Sequence, residues 1–193
     1  MVLATPVGLY EGVAELLGTT PEAVMNGFWG PHRHAYDEGG SDRAFWEAAL
    51  PLIPEARPID LDTLLPALVD ADTNGWRNIR PGAREILAEL NGLDVPVHVL
   101  SNAPRHFAES SATFDWRHLV DTFFFSGLLG VAKPDPVIYA AVEEALGLPP
   151  EALWFVDDKQ ENITTAVSRG WHAHLWVDDA DTRAWLGAEG FLA

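Results

Sequence analysis

Three places along the chain set polar side chains where chemistry could be done. Phe155-Val156-Asp157-Asp158-Lys159-Gln160-Glu161-Asn162-Ile163 delivers two adjacent carboxylates at the end of an apolar run. Adjacent aspartates repel each other unless a cation or a proton intervenes, and a hard divalent cation such as Mg²⁺ takes oxygen ligands. The same pair could instead cap a helix by accepting from free backbone N–H groups. Val95-Pro96-Val97-His98-Val99-Leu100 leads into Ser101-Asn102, a hydroxyl beside an amide, and Val131-Ala132-Lys133-Pro134-Asp135-Pro136 supplies an ammonium. Such a set suits a phosphoryl group. The hydroxyl and amide hydrogen-bond its oxygens, the lysine neutralises charge, and the carboxylates hold a metal.

The elements that must position these groups change character along the chain. From Pro6 to about Asn74 the pattern is helical. Tyr10, Val13, Leu16 and Leu17 recur at helical spacing. Thr20-Pro21-Glu22, Ser41-Asp42-Arg43 and Asp60-Leu61-Asp62 each read as a helix start. From Arg80 the pattern alternates. Helices are expected over 81–90, from Arg105, and over 134–146, 163–169 and 181–186; strands over 95–100, 122–126, 153–156 and 172–177. Strand–helix alternation implies an α/β chain with a parallel, Rossmann-like sheet and helices on both faces. Acidic groups at a strand's carboxyl end then lie where open α/β sheets bind ligands. His98 and His172 read as strand residues rather than ligands, and Phe28, Trp29, Tyr36 and Trp46 as core more than as a substrate entrance.

The 193 residues carry 29 acidic against 12 basic side chains, a formal net charge of −17. That argues against nucleic acid, whose phosphates would be repelled, and against anionic membrane surfaces. The absence of cysteine excludes thiolate catalysis, disulfides and cysteine metal sites. No apolar run reaches the ~18 residues of a membrane span, and Met1-Val2-Leu3-Ala4-Thr5-Pro6 lacks the basic start of a signal peptide. A cytoplasmic location is the expectation.

In order and spacing, Leu100-Ser101-Asn102-Ala103, then Lys133-Pro134-Asp135-Pro136 with Ile138-Tyr139, then Phe155-Val156-Asp157-Asp158 with Glu161-Asn162-Ile163 resemble the second, third and fourth motifs of the haloacid dehalogenase superfamily. The Asp-Asp form of the last resembles the phosphatase branch, which includes sugar-phosphate phosphatases and epoxide hydrolase N-terminal domains. The resemblance implies a HAD-like α/β core over residues 77–193, a small helical cap over 10–76 and a remnant of the core's first strand over 1–9. It implies that Ser101, with Asn102, binds the transferring phosphoryl group and that Lys133 neutralises it. It also implies that Asp158 ligates Mg²⁺, with Asp157 in or just outside the coordination sphere, and that the substrate is a small phosphorylated metabolite.

The chain departs from that family at its first motif, a strand ending in Asp-x-Asp whose first aspartate attacks phosphorus. The first acidic residue here is Glu11. The 193 residues as they stand are therefore expected to have lost or impaired activity, with the central strand missing or altered. The slot is expected to be filled in part by the first residues, by closure of the sheet, or by a second chain, which leaves room for a homo-oligomer. Two readings stay open beside a phosphatase whose native chain is longer: a noncatalytic binding or interaction protein on this fold, and, more distantly, a 2-haloacid dehalogenase-like hydrolase.

Overall fold

The structure is a computed structural model, and it describes residues 3–192. Five helices come first: α1 (Leu9–Leu17), α2 (Pro21–Phe28), α3 (Pro31–Asp37), α4 (Asp42–Ala49) and α5 (Leu61–Trp76). Side-chain oxygens set three of their starts. Thr20 accepts from the Ala23 N–H at 3.2 Å, Ser41 from the Ala44 N–H at 3.2 Å, and Asp60 from the Asp62 N–H at 3.1 Å. Each satisfies a backbone donor that the first turn leaves without a helical partner. The apolar faces of these helices close on one another. Leu9, Val13, Leu17, Val24, Phe28, Trp46 and Leu68 are all buried in one cluster that draws only on residues 9–76.

The second part alternates. It runs α6 (Pro81–Gly92), β1 (His98–Ser101), α7 (Arg105–Ser110), β2 (Thr122–Phe125), α8 (Ser126–Leu129), α9 (Pro136–Leu146), β3 (Trp154–Asp157), α10 (Gln160–Arg169), β4 (His172–Leu175) and α11 (Asp179–Ala188). Each strand is four residues long; β1, β2 and β4 are shorter than the stretches expected from sequence, and β3 is shifted by one residue so that it takes in Asp157. Asp135 accepts from the Val137 N–H at 2.8 Å to start α9. Gly170, at φ 99°, ends α10 in a left-handed conformation that glycine adopts without a side-chain clash.

Both strand pairs are parallel, as alternation requires: His98–Ser101 lie opposite Thr122–Phe125, and Trp154–Asp157 opposite His172–Leu175. The sheet is nevertheless in two halves, since no ladder among the described residues joins β1 to β3. An apolar cleft of about 320 Å³ separates them, lined among others by Leu3, Leu100, Phe155, Ile86 and Leu186. Met1 and Val2, on which part of the expected first strand falls, lie outside the described residues. Just after them the Leu3 carbonyl accepts from the Arg80 N–H at 2.8 Å, and Ala4 forms an antiparallel bridge to Ile79. Among the described residues no helix is long and apolar enough to cross a membrane.

Candidate phosphate and metal site

The three predicted strand-end groups meet in one cavity of about 520 Å³, which Ser101, Asn102, Lys133, Asp157 and Asp158 all line. Ser101 ends β1 opposite Phe125 on β2. The Val97 carbonyl accepts from the Asp121 N–H. In a parallel ladder successive residues point their hydrogen-bonding groups to opposite sides, so Leu100 turns its carbonyl away from β2. There it accepts from Lys133 Nζ at 2.8 Å. The same ammonium donates to Asp157 Oδ2 at 2.6 Å, with both side chains nearly buried.

Asn102 does something different from what its type suggests. Its Nδ2 donates to the Lys133 carbonyl and its Oδ1 accepts from the Lys133 N–H, each at 2.8 Å. Both ends of the amide are thus committed to holding the loop that aims Lys133, which leaves Ser101 Oγ as the polar group of that pair open to a ligand.

Neither aspartate caps α10; its N-cap residue is Lys159, without a side-chain cap. Asp157 Oδ1 instead accepts from the Lys159 N–H at 2.9 Å and from Asn162 Nδ2 at 2.7 Å. Burial pushes the Asp157 carboxyl up, but Lys133, Asn162 and the Lys159 N–H outweigh it and hold it below the ordinary aspartate range. Asp158 is exposed at the cavity wall. Among the described residues no group of three or more histidine or acidic side chains is placed to hold a metal by itself. The donor set nevertheless fits Mg²⁺, which usually takes one or two carboxylates, several waters and substrate phosphate oxygens. Asp158 is free to be such a carboxylate. Asn162 Oδ1, buried on the cavity wall without a hydrogen-bond partner, is an acceptor that a metal-bound water would satisfy.

Another wall comes from α3, α5 and the end of α2, and of its charged residues composition and spacing give no sign. Arg33, His34, Asp37, Asp72, Trp29 and Trp76 line the same cavity. Arg33 is buried, its Nε 3.0 Å from Asp37 Oδ1 and its Nη1 3.0 Å from Asp72 Oδ2. Of the aromatic residues weighed as a substrate entrance, Phe28, Tyr36 and Trp46 are core. Trp29 is 45% exposed and meets Trp76 edge-on, with ring centroids 6.3 Å apart. The two layers touch at α8, where the Ser126 hydroxyl donates to the Asp37 carbonyl and accepts from the Ala103 N–H.

Comparison with known proteins identifies the fold and its family. The description of haloacid dehalogenase-like hydrolases matches residues 32–168, more than half the chain, and the chain belongs to that family. Phosphatase MT3486 of Mycobacterium tuberculosis (strain CDC 1551 / Oshkosh) is 33% identical over 121 residues, 60% of this chain and 54% of that protein. The chain spans about half the length of the curated relatives it matches. Among solved structures, L-2-haloacid dehalogenase from Xanthobacter autotrophicus superimposes with a TM-score of 0.71 at 19% identity, over 100% of this chain and 81% of that one. HAD family enzyme bt-2542 from Bacteroides thetaiotaomicron, solved in complex with magnesium and inorganic phosphate, gives 0.68 at 18%, over 90% and 88%. At those identities the two structures establish the fold.

Proposed function

We propose that this hydrolase-family chain binds small phosphomonoesters together with Mg²⁺ in the 520 Å³ cavity, in the manner of a phosphatase. The observation that carries the reading is the convergence of Ser101, Lys133 and Asp158 on that one cavity, from the end of β1, the loop before α9 and the end of β3. The phosphatase relative and the solved structure holding magnesium and phosphate support it. Residues 77–193 act as the core that holds phosphate, and residues 10–76 as a cap over it. Ser101 Oγ donates to a phosphoryl oxygen. Lys133, kept at the β1 and β3 ends by Leu100 and Asp157, offsets the phosphoryl charge. Asp158 holds the metal, with Asp157 behind it fixing Lys133. Mg²⁺ held by Asp158 would supply further positive charge to the phosphoryl group.

Residues 1–10 contain no carboxylate, and the family's route goes through an acyl phosphate on an aspartate. For these 193 residues as they stand, binding therefore outlasts turnover. The net charge of −17 favours a small ligand over nucleic acid or an anionic membrane.

Calorimetry with inorganic phosphate and hydrolysis of p-nitrophenyl phosphate test both parts. Phosphate is expected to bind only with Mg²⁺, to lose that binding in Asp158→Ala, and p-nitrophenyl phosphate to turn over barely above background. Brisk turnover that vanishes in Asp158→Ala would refute the impairment and keep the site. Phosphate binding indifferent to Mg²⁺ and to Asp158→Ala would refute the site.

A further inference from the structure

The cavity of about 520 Å³ has room for an alcohol beside a phosphoryl group, and its polar groups are unevenly spread. Ser101, Asp158 and Lys159 stand at or just after the carboxyl ends of β1 and β3. The rest of the lining carries Leu3, Trp29, Trp76, Ile79, Phe107 and Trp116. Ile79 and Trp116 are buried, whereas Trp76 and Phe107 are half-buried and Trp29 is 45% exposed. The last three rings come from separate elements: Trp29 follows α2, Trp76 ends α5 and Phe107 lies on α7.

The polar groups of that lining are nearly all matched to protein partners. Arg33 is spent on Asp37 and Asp72. Asp72 Oδ1 and the Trp76 indole N–H, which have no other partner among the described residues, face each other. The Trp29 N–H donates to the Tyr10 hydroxyl at 3.0 Å and the Trp116 N–H to the Arg77 carbonyl at 2.8 Å. The Gly30 carbonyl accepts from the Arg33 and His34 N–H groups, and the Leu3 carbonyl from the Arg80 N–H. What stays open beyond the phosphate end is one oxygen of Asp37 and the exposed His34 ring beside Glu38. Each hydroxyl taken into such a site without a partner loses its hydrogen bonds to water, at about fivefold or more in affinity. Each methylene taken from water onto apolar surface gains up to about fourfold.

We propose that the phosphomonoester taken here is that of an apolar alcohol, an alkyl or aryl group, and that Trp29, Trp76 and Phe107 select it over the polyhydroxylated alcohol of a sugar phosphate. The assignment rests on the phosphate site proposed above and adds the class of alcohol. The phosphoryl end lies at Ser101, Lys133 and Asp158, and the alcohol lies against the three rings. Selection comes from what this lining lacks as much as from what it offers. Hydroxyls find almost no donors or acceptors to replace water, and carbon finds aromatic surface.

The test is calorimetry in Mg²⁺ with n-alkyl phosphates from ethyl to octyl, and with cyclohexylmethyl phosphate against glucose 6-phosphate, whose ring of similar size bears hydroxyls. Affinity is expected to rise about two- to fourfold per methylene until the cavity is filled. Cyclohexylmethyl phosphate is expected to bind at least about tenfold more tightly than glucose 6-phosphate. Phe107→Ser and Trp29→Gln should each flatten the rise with chain length while inorganic phosphate binds as before. Trp29, being exposed, is the position where a change disturbs the fold least. Affinity independent of chain length, or glucose 6-phosphate bound as well as cyclohexylmethyl phosphate, with inorganic phosphate bound normally, overturns the apolar assignment and leaves the phosphate site standing. A rise that survives both substitutions overturns the assignment to these rings. Failure of inorganic phosphate and every ester to bind overturns both readings together.

Discussion

Lys133 Nζ lies 2.6 Å from Asp157 Oδ2 and 2.8 Å from the Leu100 carbonyl, so one ammonium ties β1 to β3 across the apolar cleft that divides the sheet. Leu100 belongs to one half-sheet and Asp157 to the other, and no ladder among the described residues joins them. The contact is therefore structural as well as electrostatic. Removing one member of a buried ion pair leaves the other charged and desolvated, which costs about 3–5 kcal/mol. Lys133→Met is expected to destabilise the chain by that amount in urea unfolding. Combined with Asp157→Asn, the loss should be clearly smaller than the sum of the single losses, because the two groups share one interaction. Additive losses would show the pair to be uncoupled.

The seam at α8 makes a steric prediction. Ser126 is fully buried, and through Ala103 and Asp37 it links the two layers of the molecule. A Cβ on the neighbouring Gly127 would sit 2.5 Å from the Arg105 nitrogen and 2.7 Å from the Ala103 carbonyl oxygen. These are backbone atoms and cannot swing aside. Gly127→Ala should thus cost more than Ser126→Ala, which removes a hydrogen-bond partner at about 1–3 kcal/mol. Thermal melting of the two variants checks the order. Melting of Gly127→Ala at the wild-type temperature would mean that the seam opens freely.

How far the chain could be read in advance follows from where each signal is stored. The starts of α2, α4 and α5 were legible because Thr20, Ser41 and Asp60 cap within their own turn. Ser101, Lys133 and Asp158 were legible because each ends or follows an apolar run in a fixed order. Helix α3 was not foreseen: its seven residues, Pro31–Asp37, bury only Arg33 and Tyr36, too few to draw an apolar stripe. The Arg33–Asp72 contact joins residues 39 apart, and nothing local to either announces it. The family resemblance places Asn102 beside Ser101 at the phosphate, whereas its amide is matched to the main chain of Lys133, 31 residues away. The parallel pairing of the strands followed from the alternation; the split into two half-sheets concerns which strands meet, which no apolar run encodes.

Acid should weaken the contact between α9 and α10 in a defined window. Glu143 accepts from Arg169 Nε at 2.8 Å, from Arg169 Nη2 at 2.6 Å and from Trp171 Nε1 at 2.7 Å. The Arg169 hydrogen bonds hold its carboxyl below the ordinary glutamate range, against the opposing push of burial. A carboxyl depressed in the folded state adds stability above its unfolded pKa, about 4.3, and loses it as pH falls through the folded value. Glu143→Gln should therefore melt below wild type at neutral pH, with the gap closing below about pH 4. A gap unchanged down to strong acid would assign the effect to packing alone.

The Arg33 cluster should respond to acid in the opposite sense, and that contrast tests its charge count. Burial raises both Asp37 and Asp72, with Arg33 only partly offsetting it. A carboxyl raised in the folded state costs stability while ionised, and the cost is relieved as pH falls through its folded pKa. Arg33→Met removes the one cation shared by two buried acids and should cost about 3–5 kcal/mol near neutral pH. It also removes the guanidinium packed over the Phe28 ring at 4.8 Å, a loss that does not depend on pH. The variant should accordingly regain part of its deficit as the solution is acidified towards the ordinary aspartate range, where both carboxyls can take up protons. Urea unfolding of wild type and Arg33→Met across pH 4–7 would show the two stabilities converging. Divergence on acidification would mean that the two buried carboxyls are not the source of the deficit.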